Sequence, residues 1–136
     1  MNHQYSVAVH VLSLLNLNPA FSSEELAGSV GVHPVVVRTV TGLLRQGGLL
    51  TTSRGVPGAQ LTRRPDQITL LDIYRAVNAP ESVLKLHPRP NPACPVGAHI
   101  QSVLETSFGR AQSALEASLA TTTLAEVIRQ LQARAG

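Results

Sequence analysis

The sequence predicts a mainly α-helical chain with one small β-hairpin, and three observations predict it. Between Ser22 and Leu50 two short helix patterns meet at a glycine. A glycine-rich hairpin pattern carrying arginines follows at once, and residues 98 to 120 then read as one long helix with a narrow apolar seam. Two helices at a tight turn with a hairpin behind them form the pattern of a winged helix-turn-helix, and a long single-seamed helix after it is a dimerisation pattern. The expected division is 1–78 for the winged domain, 79–97 for a proline-rich linker or sensor loop, and 98–136 for dimerisation helices.

Residues 1 to 17 set Tyr5, Val7, Ala8, Val11, Leu12, Leu14 and Leu15 in a helical stripe, and Asn16-Leu17-Asn18-Pro19 stops it. Asn2, His3 and Ser6 make a short polar face, either solvated or within reach of a phosphate. Ser22 stands three residues before Glu25, the spacing at which a capping serine and a helix acid satisfy each other's backbone N–H groups, so a helix starts near Ser23. Leu26, Ala27 and Val30 form its apolar face, Gly31 ends it in a left-handed turn, and Val32 plugs that turn. Pro34 reopens a helix, because proline at the first helical position loses no hydrogen bond. That second helix runs to about Gly47. Its inward face is Val37, Val40, Thr41 and Leu44, leaving Val35, Val36, Arg38, Thr39, Gly42 and Arg45 turned away, with Gly42 open to the approach of another backbone.

Leu49 to Arg54 alternates like a strand, Gly55-Val56-Pro57-Gly58 is turn chemistry, and Ala59 to Arg63 returns as the partner strand. Pro65 and Asp66 turn the chain. Thr69 with Asp72 repeats the capping signature before Leu70, Leu71, Ile73, Tyr74 and Val77, a helix that closes the first domain near Asn78. Five prolines, at 80, 88, 90, 92 and 95, then exclude a regular helix before the long one. The seam of the long helix is Ile100, Val103, Leu104, Phe108, Ala111, Leu115 and Leu119. It must pack either on its own domain or on a second copy, and pairing of two copies is expected. Thr123 with Glu126 starts a last helix to about Arg134, with Leu124, Val127, Ile128 and Leu131 as its buried side.

Charge points to a polyanionic partner. From Leu26 to Pro65 there is no Asp or Glu, while Arg38, Arg45, Arg54, Arg63 and Arg64 all fall there, although the net charge of the whole chain is only +3. Guanidinium groups suit phosphate contacts and bidentate bonds to guanine edges. With no Trp, two Tyr and two Phe, stacking on single-stranded bases has little to work with, so double-stranded DNA is the expected nucleic acid. At 136 residues and 43% hydrophobic the chain can bury a core. No apolar run reaches the length of a membrane span and no leader pattern is visible, so no membrane and a cytoplasmic location are expected. No nucleophile-base grouping, phosphate-cradling loop or paired carboxylates stand out, so no enzyme is expected.

The chain resembles the Rrf2 family of bacterial transcriptional regulators, through Val32-His33-Pro34-Val35-Val36-Val37-Arg38, Gly48-Leu49-Leu50, Ser53-Arg54-Gly55, Ile68-Thr69-Leu70-Leu71-Asp72-Ile73-Tyr74-Arg75-Ala76-Val77 and Cys94-Pro95-Val96-Gly97. The resemblance implies a winged helix that dimerises through the long helix. Family members that hold a [2Fe–2S] cluster have three cysteines around the start of that helix, whereas here Cys94 stands alone. The expectation is therefore no cofactor, no iron–sulfur cluster on this chain's own cysteines, and no metal site. The return strand of the wing, Gly58-Ala59-Gln60-Leu61, also lacks the aromatic residue that many members carry.

The function read from the sequence is a homodimeric, sequence-specific DNA-binding regulator, a repressor on a palindromic operator, with the Pro34 to Gly47 helix in the major groove. Its candidate DNA contacts are Pro34, Val35, Arg38, Thr39, Gly42, Arg45, Arg54, Gly55 and Gly58. Arg38 and Thr39 are set against base edges, Val35 against a thymine methyl, Arg45 and Arg54 against phosphate, and the tip from Gly55 to Gly58 in the minor groove. Two alternatives stay open: a winged-helix protein-interaction module without DNA binding, and a thiol-based redox sensor acting through Cys94. His99 and His87 lie near Cys94 and could join a metal site with partner ligands, but a helix-start histidine is the plainer reading of His99.

Overall fold

The computed structural model describes residues 3–78 and 82–135; Asn2 of the predicted polar face, and the linker's Ala79, Pro80 and Glu81, lie outside the described residues. Among the described residues six α-helices and one hairpin are arranged in the predicted order. Helix α1 (Gln4–Leu17) buries Val7, Ala8, Val11, Leu12 and Leu15 against α3 (Pro34–Gln46) and α4 (Leu70–Asn78), which contribute Val37, Val40, Leu44, Ile73 and Val77 to the same core. Among the described residues no polar or charged side chain is buried, so hydrophobic burial holds this core without internal ion pairs.

Helix α2 (Ser23–Val30) starts with the predicted reciprocal cap: Ser22 Oγ accepts from the Glu25 N–H and the Glu25 carboxylate accepts from the Ser22 N–H, both at 3.1 Å. Such a cap contributes about 1 kcal/mol. Gly31 turns the chain at φ +81°, and α2 and α3 meet at 108°, inside the range of helix-turn-helix pairs. The α4 cap is equally complete, with Thr69 and Asp72 bonding each other's backbone N–H at 2.9 and 3.0 Å.

The hairpin is shorter than its sequence pattern. Strand β1 is Leu50–Thr51 and β2 is Gln60–Leu61, antiparallel, with Leu50 opposite Leu61 and Thr51 opposite Gln60. Its return arm is diverted: the Ala59 N–H donates to the Pro19 carbonyl at 3.0 Å instead of to the opposite strand. Gly58, at φ +84°, lies so close to Pro19 and Ala20 that any Cβ would overlap the Pro19 carbonyl. The wing is thus pinned to the α1–α2 loop, and only its tip is free.

Two further expectations change in the C-terminal part. The long helix, α5, spans Pro95–Leu119 and so starts three residues before the expected Ala98: Cys94 is its N-cap and Pro95 takes the first helical position, where proline is harmless. Gly97, in the first turn, leaves room for the Asn91 carbonyl, which a Cβ would strike. The linker continues along α5, where the Val83 N–H donates to Gln112 Oε1 at 3.1 Å and Gln101 Nε2 donates to the His87 carbonyl at 3.1 Å.

The last helix, α6 (Leu124–Ala135), does not stand apart with α5. Thr69 and Thr123 form an antiparallel bridge, the Leu124 N–H donates to the Ile68 carbonyl at 2.8 Å, and Leu124 is fully buried in the core of the first domain. Val127 and Ile128 are half-buried, whereas Leu131, expected to be buried, is 53% exposed. The helix is one turn too long for the core it joins.

Candidate nucleic-acid interface

Helix α3 presents one face to the core and one to solvent because its apolar residues recur at three and four positions. Val37, Val40 and Leu44 are fully buried, Thr41 is half-buried, and Val35, Arg38, Thr39 and Arg45 are exposed. Val36, expected to face away, is half-buried and packs on the core's edge. Pro34 is half-buried and opens the helix, while His33 caps it, its Nδ1 accepting from the Val35 N–H at 3.1 Å. Nothing stands within 4 Å of where a Gly42 side chain would begin, so this turn of α3 is open to an incoming surface. The Thr39 hydroxyl donates to the Val35 carbonyl at 3.0 Å, which leaves its lone pairs to accept from an outside donor.

Behind α3 the hairpin offers Arg54, Gly55 and the 60%-exposed Val56 at its tip, where Gly55 takes φ +78°. Gly58, grouped with these in the sequence reading, sits instead at the anchor on Pro19. The five arginines of the acid-free segment are not equivalent. Arg38 Nη2 donates to Glu24 at 3.1 Å, Arg63 pairs with Asp72 at 3.6 Å, and Arg64 pairs with Asp66 at 3.3 Å, so acids from the flanks fold back onto three of them. Arg63 also donates to the Gln67 carbonyl at 3.1 Å. Arg45 and Arg54 have no ion pair or hydrogen-bond partner among the described residues. Arg38–Glu24 and Arg64–Asp66 are exposed and Arg63–Asp72 is half-buried on its acid side; an exposed pair is worth about 0–1 kcal/mol, so the first two order side chains more than they stabilise the fold. Glu24 was missed by sequence reasoning, yet it carried a signal: it is the first-turn acid of α2 that the capping box does not use.

Helix α5 is the other unfinished surface. Across its 25 residues none is buried: Ile100, Leu104, Phe108 and Leu115 are half-covered, Val103 is 61% exposed and Ala111 is exposed. It is tied to α4 by Arg75 with Glu116 at 3.2 Å and by Gln112, which donates to the Tyr74 hydroxyl at 3.0 Å and to Glu116 at 3.1 Å. Tyr74 in turn meets Tyr5 of α1 edge-on, ring centres 5.6 Å apart, and burial raises the Tyr5 hydroxyl to about 12. At the head of α5 the exposed Cys94 thiol is held below its ordinary pKa by the backbone N–H groups of Gly97 and Val96. Among the described residues no three His, Cys, Asp or Glu side chains gather as a metal site would require, and His99 and His87 are not brought into one with Cys94. No single helix among them is long and apolar enough to cross a membrane.

Comparison with known proteins agrees with this geometry. The family model for Rrf2, described as an iron-dependent transcriptional regulator, matches residues 1–130. A curated protein of Bacillus subtilis (strain 168), YwnA, whose name places it among HTH-type transcriptional regulators, is 44% identical over 131 residues, covering 96% of this chain and 98% of that one. A crystallised protein described as DNA-binding is 41% identical with a TM-score of 0.78, over 92% of this chain and 98% of its own. A transcriptional regulator from Lactobacillus plantarum superposes with a TM-score of 0.81 at 27% identity, over 97% and 91% of the two chains. The family's description names iron, whereas this chain has a single cysteine, Cys94, fewer than the protein ligands an iron–sulfur cluster takes.

Proposed function

Because the chain belongs to the Rrf2 family and is a DNA-binding transcriptional regulator, we propose that it acts in the cytoplasm as a homodimer that represses transcription by occupying a palindromic operator. The observation that carries the reading is the combination of an open α3 face with a 25-residue helix that fully buries none of its side chains within its own chain. A helix whose apolar seam is left partly in water gains by pairing, and a second copy offers the same seam by symmetry. Pairing through Ile100, Val103, Leu104, Phe108, Ala111 and Leu115 would hold two α3 helices for half-sites roughly one DNA turn, on the order of 34 Å, apart.

In this reading Arg38, Thr39 and Val35 face base edges, with Pro34 and Gly42 lining the same surface. Arg45 and Arg54 neutralise phosphates, and the tip at Gly55 enters the neighbouring minor groove, with Gly58 holding the tip in place. The protein works without an iron–sulfur cluster of its own. Sedimentation of the wild type and of Leu104→Glu tests the pairing: a dimer that the substitution dissociates supports it, and a monomeric wild type contradicts it. A second reading, a thiol switch at Cys94, is favoured by the exposure and lowered pKa of that thiol. It predicts that Cys94→Ser abolishes an oxidant's effect on DNA binding while leaving the reduced protein's affinity unchanged.

A further inference from the structure

We propose that Glu24 is a positioning residue for sequence readout, holding the guanidinium of Arg38 in the pose that meets a base edge. The inference rests on the reading that α3 lies in the major groove. Glu24 stands in the first turn of α2, and its Oε1 accepts from Arg38 Nη2 at 3.1 Å across the helix-turn-helix, with the two side chains 68% and 55% exposed. Its neighbour Glu25 is consumed by the α2 cap, so the Glu24 carboxylate is free for this contact.

The placement is electrostatically odd unless it does something. The first helix of such a motif crosses the DNA backbone, and a carboxylate there repels phosphate. The contact uses one of the five guanidinium N–H groups, and the other four remain available for a bidentate contact such as that to guanine O6 and N7. A long arginine side chain on an open helix face otherwise samples many rotamers, and a fixed fork loses less freedom when it docks. Glu24 therefore trades general affinity for discrimination.

Two effects of opposite sign separate this role from simple repulsion. The test compares Glu24→Gln, Arg38→Ala and the double variant on the duplex selected from genomic fragments and on a scrambled duplex of the same length. Glu24→Gln is expected to bind the scrambled duplex about twofold more tightly and to lose about fivefold in the ratio of selected to scrambled affinity, part of the roughly 5- to 150-fold that one well-held bidentate pair provides. In the Arg38→Ala background the same change should leave the ratio alone. Equal strengthening on both duplexes, or an undiminished effect on the ratio in the double variant, overturns the proposal. If Arg38→Ala itself leaves the ratio unchanged, both the proposal and the placement of α3 fall; if Arg38→Ala lowers it and Glu24→Gln does not, the proposal alone falls. Because both side chains are exposed, unchanged thermal unfolding should accompany every variant.

Discussion

Removing the two unpaired arginines should change the salt dependence of DNA binding more than removing a paired one. Arg45 and Arg54 have no acidic partner among the described residues, whereas Arg64 lies 3.3 Å from Asp66. Each neutralised phosphate contributes about 0.9 to the slope of log affinity against log salt, so losing both arginines lowers the slope by about 1.8 per protomer. Between 50 and 200 mM salt, a fourfold change, the wild type should then lose roughly 12-fold more affinity per DNA-bound protomer than Arg45→Ala/Arg54→Ala does. Arg64→Ala removes a charge whose field its own aspartate already offsets, and should move the slope by less than about 0.5. Fluorescence anisotropy on one labelled duplex across a salt series measures all three. A slope loss for Arg64→Ala as large as that for Arg45→Ala or Arg54→Ala would refute the division of the arginines into paired and free.

Leu124→Ala should destabilise the fold by about 2–5 kcal/mol in urea, because it opens a cavity in the core of the winged domain, whereas Gln130→Ala on the exposed side of α6 should cost less than about 0.5 kcal/mol. An equal, small cost for both would mean that α6 is not part of that core. Gly58→Ala must move the Pro19 carbonyl and adopt a left-handed backbone that alone costs about 1–2 kcal/mol, so duplex affinity should fall with the helical content intact. Unchanged affinity would detach the wing's anchor from its function. Tyr5 should stay protonated up to about pH 12, visible as a late phenolate absorbance step in a chain with no Trp. Since its folded pKa lies above the unfolded value of about 10, the stability it contributes is complete below pH 10 and is lost as pH rises toward 12. A Tyr5 phenolate that forms near pH 10 in the folded protein would contradict the burial.

The winged domain was legible because its signals are local. Ser22 with Glu25, Gly31, Pro34, and Thr69 with Asp72 each act within four residues, and all of them appear in the structure where the spacing puts them. What escaped were contacts between distant segments. Nothing in the hairpin sequence says that Ala59 bonds to Pro19 forty residues earlier, so the strands read longer than they are. Leu124 and Leu131 have the same local pattern, and only the bridge from Thr123 to Thr69 decides that the first is core and the second surface. Proline reads as a breaker in the linker, yet Pro95 opens α5, because at the first helical position its missing N–H forfeits no helical hydrogen bond. At the interface the exposed face of α3 followed from its period, with Val36 the exception at its edge. The acid-free stretch of sequence overstated the free charge, because Glu24, Asp66 and Asp72 lie outside it in sequence and against it in space.

In the proposed complex two copies of this chain read a symmetric DNA site through α3. The most direct test is to incubate the purified, reduced protein with fragments of its own genome at two salt concentrations and sequence what is retained. A dimer reading DNA through α3 should recover an inverted repeat with half-sites about one helical turn apart that persists at the higher salt. Retention without a shared motif, lost as salt rises, would contradict it.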